Sequence, residues 1–123
     1  MGKILEFKDA PQHKRPSQVG RKNFILVDKD SGATKISVTL NEYEPNMVQK
    51  HYHYHKKREQ VIIALEGSGT YELNGIEYQL KPNTVVFIAA GDKHGVKDAG
   101  EEGLKMLEIT SQPWGNDMFP VQE

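Results

Sequence analysis

Three histidines, His51, His53 and His55, alternate with Tyr52 and Tyr54, and only two others, His13 and His94, occur in the 123 residues. On a strand, a side-chain period of two sends the three imidazoles to one face and the two phenol rings to the other. Neighbours at i and i+2 stand about 7 Å apart at Cα, close enough for two rings to converge on one ion. Neutral imidazole is the commonest nitrogen ligand of divalent transition metals, so the spacing points to a chelating wall. The bland alternative is an exposed His-rich strand that holds no ion. Cysteine is absent, which excludes disulfides, thiolate ligands and a thiol nucleophile, so any metal must be held by nitrogen and oxygen.

The elements that must carry these residues are short strands. Glycine, proline and Asn/Asp clusters cut the chain into runs of about five to eight residues, strand length rather than helix length. Phe24 to Val27 is an apolar run closed by Asp28-Lys29-Asp30-Ser31-Gly32, and the next run alternates, with Ile36, Val38 and Leu40 opposite Lys35, Ser37 and Thr39. That alternation predicts a half-buried strand. Residues 48–55 are read as another, bearing the histidines. Tyr71-Glu72-Leu73, Asn74-Gly75 and Ile76-Glu77-Tyr78 predict a hairpin with Tyr71 facing Tyr78, because Asn-Gly tolerates the two positive φ angles of a type I′ turn. Lys81-Pro82-Asn83 makes the next turn, followed by strands over residues 84–90 and 104–110. Eight to ten such strands predict an all-β sandwich or barrel.

Downstream of the histidines, "HYHKKREQVIIALEG" resembles the first motif of the cupins: a His-x-His pair, a short spacer, a Glu or sometimes Gln ligand, six residues, then Gly. "FIAAGDKHGVKD" is similar to the second, Pro-x-Gly-x-x-His, with Ala89 where proline is usual and Asp98 where asparagine is usual. The resemblance covers roughly residues 34–110 and implies a jelly-roll β-barrel with a metal site inside. Carried over residue by residue, it assigns His53, His55, Gln60 and His94 as metal ligands, with Fe, Mn, Ni, Zn or Cu as the ion. Gln60 in place of glutamate leaves a donor set of three imidazoles and one amide, so the ion keeps its full double charge. Alternation turns Glu59 to the face opposite Gln60; a bulge would exchange them, making Glu59 the ligand and His51 with His53 the pair. With His53 and His55 as the pair, His51 either faces the substrate or supports a ligand, or is a structural histidine hydrogen-bonded to a neighbour.

The rest of the chain sets bounds. One domain is expected at this length. Residues 1–33 are read as an N-terminal arm and first strand, with residues 11–22 a polar, basic arm or loop; residues 34–110 are the barrel core and 111–123 a tail. Trp114 in that tail is expected to cover a barrel end or a subunit contact, and Tyr52 and Tyr54 to pack between sheets or subunits. Lys56-Lys57-Arg58 is read as a solvated loop beside the site. With 16 Lys+Arg against 17 Asp+Glu, no basic excess favours nucleic acid or an anionic membrane. No apolar run reaches membrane-span length and the N-terminus lacks a signal-peptide core, so a cytoplasmic protein is expected. The resemblance implies a homodimer, paired through sheet edges and an N-terminal strand.

Fold does not choose a function here, since cupins include dioxygenases, isomerases, epimerases, decarboxylases and binding proteins. The leading expectation is a metal-binding cupin, in which an open coordination position takes a small polar or anionic ligand such as an enolate, carboxylate or hydroxy acid. A second is a metal-free enzyme: "HYHKK" also resembles a segment of the nucleotide-sugar 3,4-ketoisomerases, where histidines serve as acid and base, although those enzymes ordinarily lack a motif like Gly91 to His94. A third is a non-enzymatic barrel that binds sugar or another small ligand.

Overall fold

The computed structural model describes residues 1–13, 20–49, 52–112 and 118–121. Its strands are β1 (Arg21–Val27), β2 (Ile36–Tyr43), β3 (His53–His55), β4 (Gln60–Leu73), β5 (Ile76–Leu80), β6 (Val85–Ile88), β7 (His94–Ser111) and β8 (Met118–Pro120). Every pairing is antiparallel. The order β1-β2-β7-β3-β8 runs along one path, and β4 lies on β7 with β5 and β6 along its other edge. The result is a jelly roll whose hydrogen-bonded ring stays open among the described residues.

Two strands are longer than the sequence pattern predicts. The 14 residues of β4 and the 18 of β7 pair with each other almost end to end, with register shifts at Ala64/Glu66, Gly67/Gly69 and Thr70/Tyr71. The glycines that look like chain breaks are therefore bulges and points of close approach within continuous strands. Gly67 shows why. Its φ is 77°, and an added Cβ would collide with the carbonyl oxygen of Gly103 on β7. The predicted hairpin forms as expected: Tyr71 pairs with Tyr78, and Asn74 and Gly75 turn the chain at φ 51° and 83°.

Among the described residues of 48–55, only His53–His55 form a regular strand. Val48 makes only an isolated bridge to Asp98, and regular pairing begins at His53. The arm read into residues 11–22 is also partly structured: Arg21 and Lys22 open β1, Ile25 donates to the Pro11 carbonyl at 2.9 Å, and Gln12 bridges Phe24. An outer strand otherwise leaves backbone groups unpaired, which is the physical reason for this extension.

Alternation on β2 is present with an unexpected sense. The interior receives Asn41 and Tyr43, while Leu40 is buried on the opposite face beside Phe24 of β1. The apolar core proper is Tyr43, Ile62, Ala64, Tyr71, Leu80, Ile88, Val96, Ala99, Leu104 and Met106. Substitution at two glycines tests the bulge argument. Gly75→Ala, strained in φ but facing open space, is expected to cost about 1 kcal/mol. Gly67→Ala must also move backbone and is expected to cost more than about 2 kcal/mol. Equal urea midpoints for the two variants would refute this.

Candidate metal centre

His53 and His55 enter the interior from β3, which is clamped on both sides. His53 pairs with His94 of β7, while Tyr54 pairs with Phe119 of β8 and stacks on it at 5.5 Å between ring centroids. Tyr54 thus packs, as its place on the opposite face requires. Lys56, first of the charge run, extends over the same Phe119 ring, its Nζ 4.4 Å from the centroid.

His94 is delivered by a turn held from two directions. The Gly91 N–H donates to the His55 carbonyl at 2.6 Å, tying the two histidine-bearing segments together, and Gly91 takes φ 91° to do so. The Asp92 side chain accepts from Ala89 N–H at 2.9 Å. From the β4–β5 hairpin, Asn74 accepts from Lys93 N–H and donates to Asp92 Oδ1, each at 3.0 Å. Asn74 therefore shapes the hairpin and also anchors the histidine turn, a second role that periodicity did not reveal.

The three rings converge. Centroids are 4.3 Å apart for His53–His94, 5.1 Å for His53–His55 and 5.3 Å for His55–His94, and one nitrogen from each lies within 4.8 Å of the others. Nδ1 of His94 is 2.8 Å from the Asp92 carbonyl oxygen, which can only accept, so the ring donates from Nδ1 and Nε2 carries a lone pair. That Nε2 is buried and makes no hydrogen bond among the described residues. Burial, its largest influence, lowers the His94 pKa from the ordinary 6.5, with His55 acting in the same direction and the Asp92 carbonyl opposing. A neutral, buried imidazole with an unused acceptor is costly unless something binds it, and three convergent nitrogens fit a transition-metal ion.

Gln60 and Glu59 take opposite sides. Gln60 is 4% exposed and lines the same small cavity as His53 and His94, whereas Glu59 is exposed and held by backbone bonds to Ser111. The Gln60 Nε2 donates to Glu108 Oε1 and to Thr110 Oγ1, both at 3.0 Å. Glu108 Oε2 accepts from Asn41 Nδ2 at 3.0 Å, and Asn41 Oδ1 accepts from Asn23 Nδ2. Sequence reasoning missed Glu108, Asn41 and Asn23. The available signal was alternation on the last long strand, which sets Glu108 and Thr110 on the same face as the core residues Leu104 and Met106.

Arg21 and Tyr71 complete the cavity wall. Arg21 lies over the Tyr43 ring at 5.2 Å, and burial followed by the nearby Glu108 raises the Tyr71 pKa well above 10.0, keeping the phenol protonated. A larger hollow of about 560 Å³ between residues 1–5 and 25–33 contains no histidine and lies apart from this chemistry. His13 is exposed, its backbone N–H bonded to Asn23. His51 and Trp114 lie outside the described residues. No helix is long and apolar enough to cross a membrane among those described.

Residues 39–110 match the family model for the cupin domain. Auxin-binding protein 1 of Arabidopsis thaliana is 32% identical over 91 residues, 67% of this chain and 45% of that protein, so the chain spans less than half of this relative. Tetracenomycin polyketide synthase protein TcmJ of Streptomyces glaucescens is 26% identical over 105 residues, 85% of this chain and 68% of that protein. Among solved structures, the polyketide cyclase RemF from Streptomyces resistomycificus shares the fold at TM-score 0.82 and 24% identity, covering 100% of this chain and 87% of that one. A family match over more than half of the chain, on a jelly roll with three histidines gathered inside, makes this protein a member of the cupin family.

Proposed function

We propose that the protein binds one divalent transition metal through His53, His55, His94 and the Gln60 amide oxygen, and presents it to a small anionic oxygen ligand. The convergence of three imidazole nitrogens within 4.8 Å carries this reading, reinforced by the buried Nε2 of His94. Three nitrogens and a neutral oxygen suit Fe, Mn, Ni, Zn or Cu. Such an ion supplies Lewis acidity to an oxygen that binds it. Arg21 shares the cavity, so a divalent ion and one guanidinium outweigh the single Glu108 carboxylate and favour an anion. Two relatives, TcmJ and RemF, are named for polyketides, compounds whose β-dicarbonyl units form stabilised enolates, and this supports an enolate over a simple carboxylate.

A homodimer is part of the same proposal, and the outer surface of the sheet supports it. Val38, Ile109, Val61 and Phe87 form one cross-strand row over β2, β7, β4 and β6; Leu107, Ile63 and Val85 continue it in the next, where Leu40 of β2 is already covered. Phe87 is 57% and Val85 61% exposed. A contiguous apolar face of this kind favours burial against a second copy.

Elemental analysis of protein purified without a His tag is expected to give close to one metal per chain. A metal-free, catalytically active protein would overturn the reading in favour of the nucleotide-sugar isomerase chemistry. His94→Ala is expected to weaken metal binding by at least about 100-fold, more than loss of a supporting residue alone, and His13→Ala to leave it unchanged. In sedimentation, the chain of 13.9 kDa is expected to run at twice that mass, and Phe87→Asp to shift it to the monomer. A monomeric wild type at micromolar concentration would rule the dimer out.

A further inference from the structure

We propose that Glu108 is the anion of the metal site, orienting and polarising the Gln60 amide without touching the ion. This rests on the metal reading above. The donor set by itself is neutral, which leaves a divalent charge in a buried cavity with no compensation. Glu108 lines that cavity and is one hydrogen bond from the proposed oxygen ligand.

The bonding pattern determines which way the amide points. An ionised carboxylate only accepts, so the end of Gln60 that meets Glu108 must be its NH2 group. Thr110 takes the other N–H, at 3.0 Å. Both amide hydrogens are then engaged away from the ion, and Oε1 is the amide atom left for the cavity shared with His53 and His94. Glu108 is itself held: its second oxygen accepts from Asn41, which is wholly buried and fixed in turn by Asn23. Donation to a carboxylate is charge-assisted and draws electron density toward the amide oxygen, so Gln60 becomes a better ligand than a solvated amide. Glu108 is thus a positioning residue, with its charge relayed through one amide.

The test is Co(II) binding to the apo protein, by chelator competition and visible absorption, in the wild type, Glu108→Gln, and the swapped double variant Gln60→Glu/Glu108→Gln. Glu108→Gln is expected to bind about 10 to 100-fold more weakly, with a changed Co(II) spectrum, since a supporting residue of a metal ligand carries that much. The swap restores an acid–amide hydrogen bond with the anion on the other partner, and is expected to recover wild-type affinity or better. Wild-type affinity and spectrum in Glu108→Gln would overturn the proposal. A loss that the swap fails to recover would also overturn it, by assigning Glu108 to barrel packing alone. If Glu108→Gln does not melt cooperatively, Glu108→Asp replaces it: keeping the charge but shortening the reach, it is expected to bind more weakly with an altered spectrum, and unchanged binding would overturn the idea. A wild type that takes up no Co(II) would instead refute the metal reading itself.

Discussion

Hydrogen-bond satisfaction inside the barrel is the constraint on which the rest depends. Asn23, Asn41, Gln60 and Thr110 are all buried on the inner face of neighbouring strands, and each unsatisfied group there would cost about 1–3 kcal/mol. They are reconciled around one acceptor: both oxygens of Glu108 take an amide N–H, and the donors run inward from β1 and β2 on one side and β4 on the other. A network of this kind is stable only when every member is matched, so it fixes side-chain orientations as well as energy. Those orientations place the Gln60 oxygen and leave the three histidines to face one another.

The long pairing of β4 with β7 makes that arrangement possible. Gln60 and His94 each open their strand, so antiparallel pairing sets them at opposite ends of the ladder, with Gln60 opposite Thr110 and His94 opposite Leu73. Strands of this length would run straight past a compact interior. Register shifts at Ala64, Gly67 and Thr70 bend the pair, and the close approach of Gly67 to Gly103 admits no side chain. Both ends are thereby turned toward one cavity, where the β4–β5 hairpin reaches back through Asn74 to hold the turn that carries His94.

The two faces of the sheet divide the functions. The inner face carries the three histidines and polar groups over an apolar floor, and the outer face carries the apolar Val38–Ile109–Val61–Phe87 row. On β2 this division reverses the usual expectation that the apolar side of an alternating strand meets the core. Its polar Asn41 is needed inside by Glu108, and Leu40 finds cover beside Phe24.

Local chemistry was legible in the sequence wherever it depends on neighbours along the chain. Period two set His53 and His55 on one face, with Gln60 inward and Glu59 outward, and Asn74-Gly75 specified its own turn because positive φ is a local property. Two motifs in order were enough to indicate the barrel and the convergence of His94 on the pair. What tertiary structure alone decided is long-range. Gln60 and Glu108 are 48 positions apart and Asn41 and Glu108 are 67, and no periodicity relates residues that meet only through strand pairing. The polar interior face of β2 and the continuity of β4 and β7 through their glycines likewise follow from contacts between distant segments, which the folded chain supplies and the linear pattern does not contain.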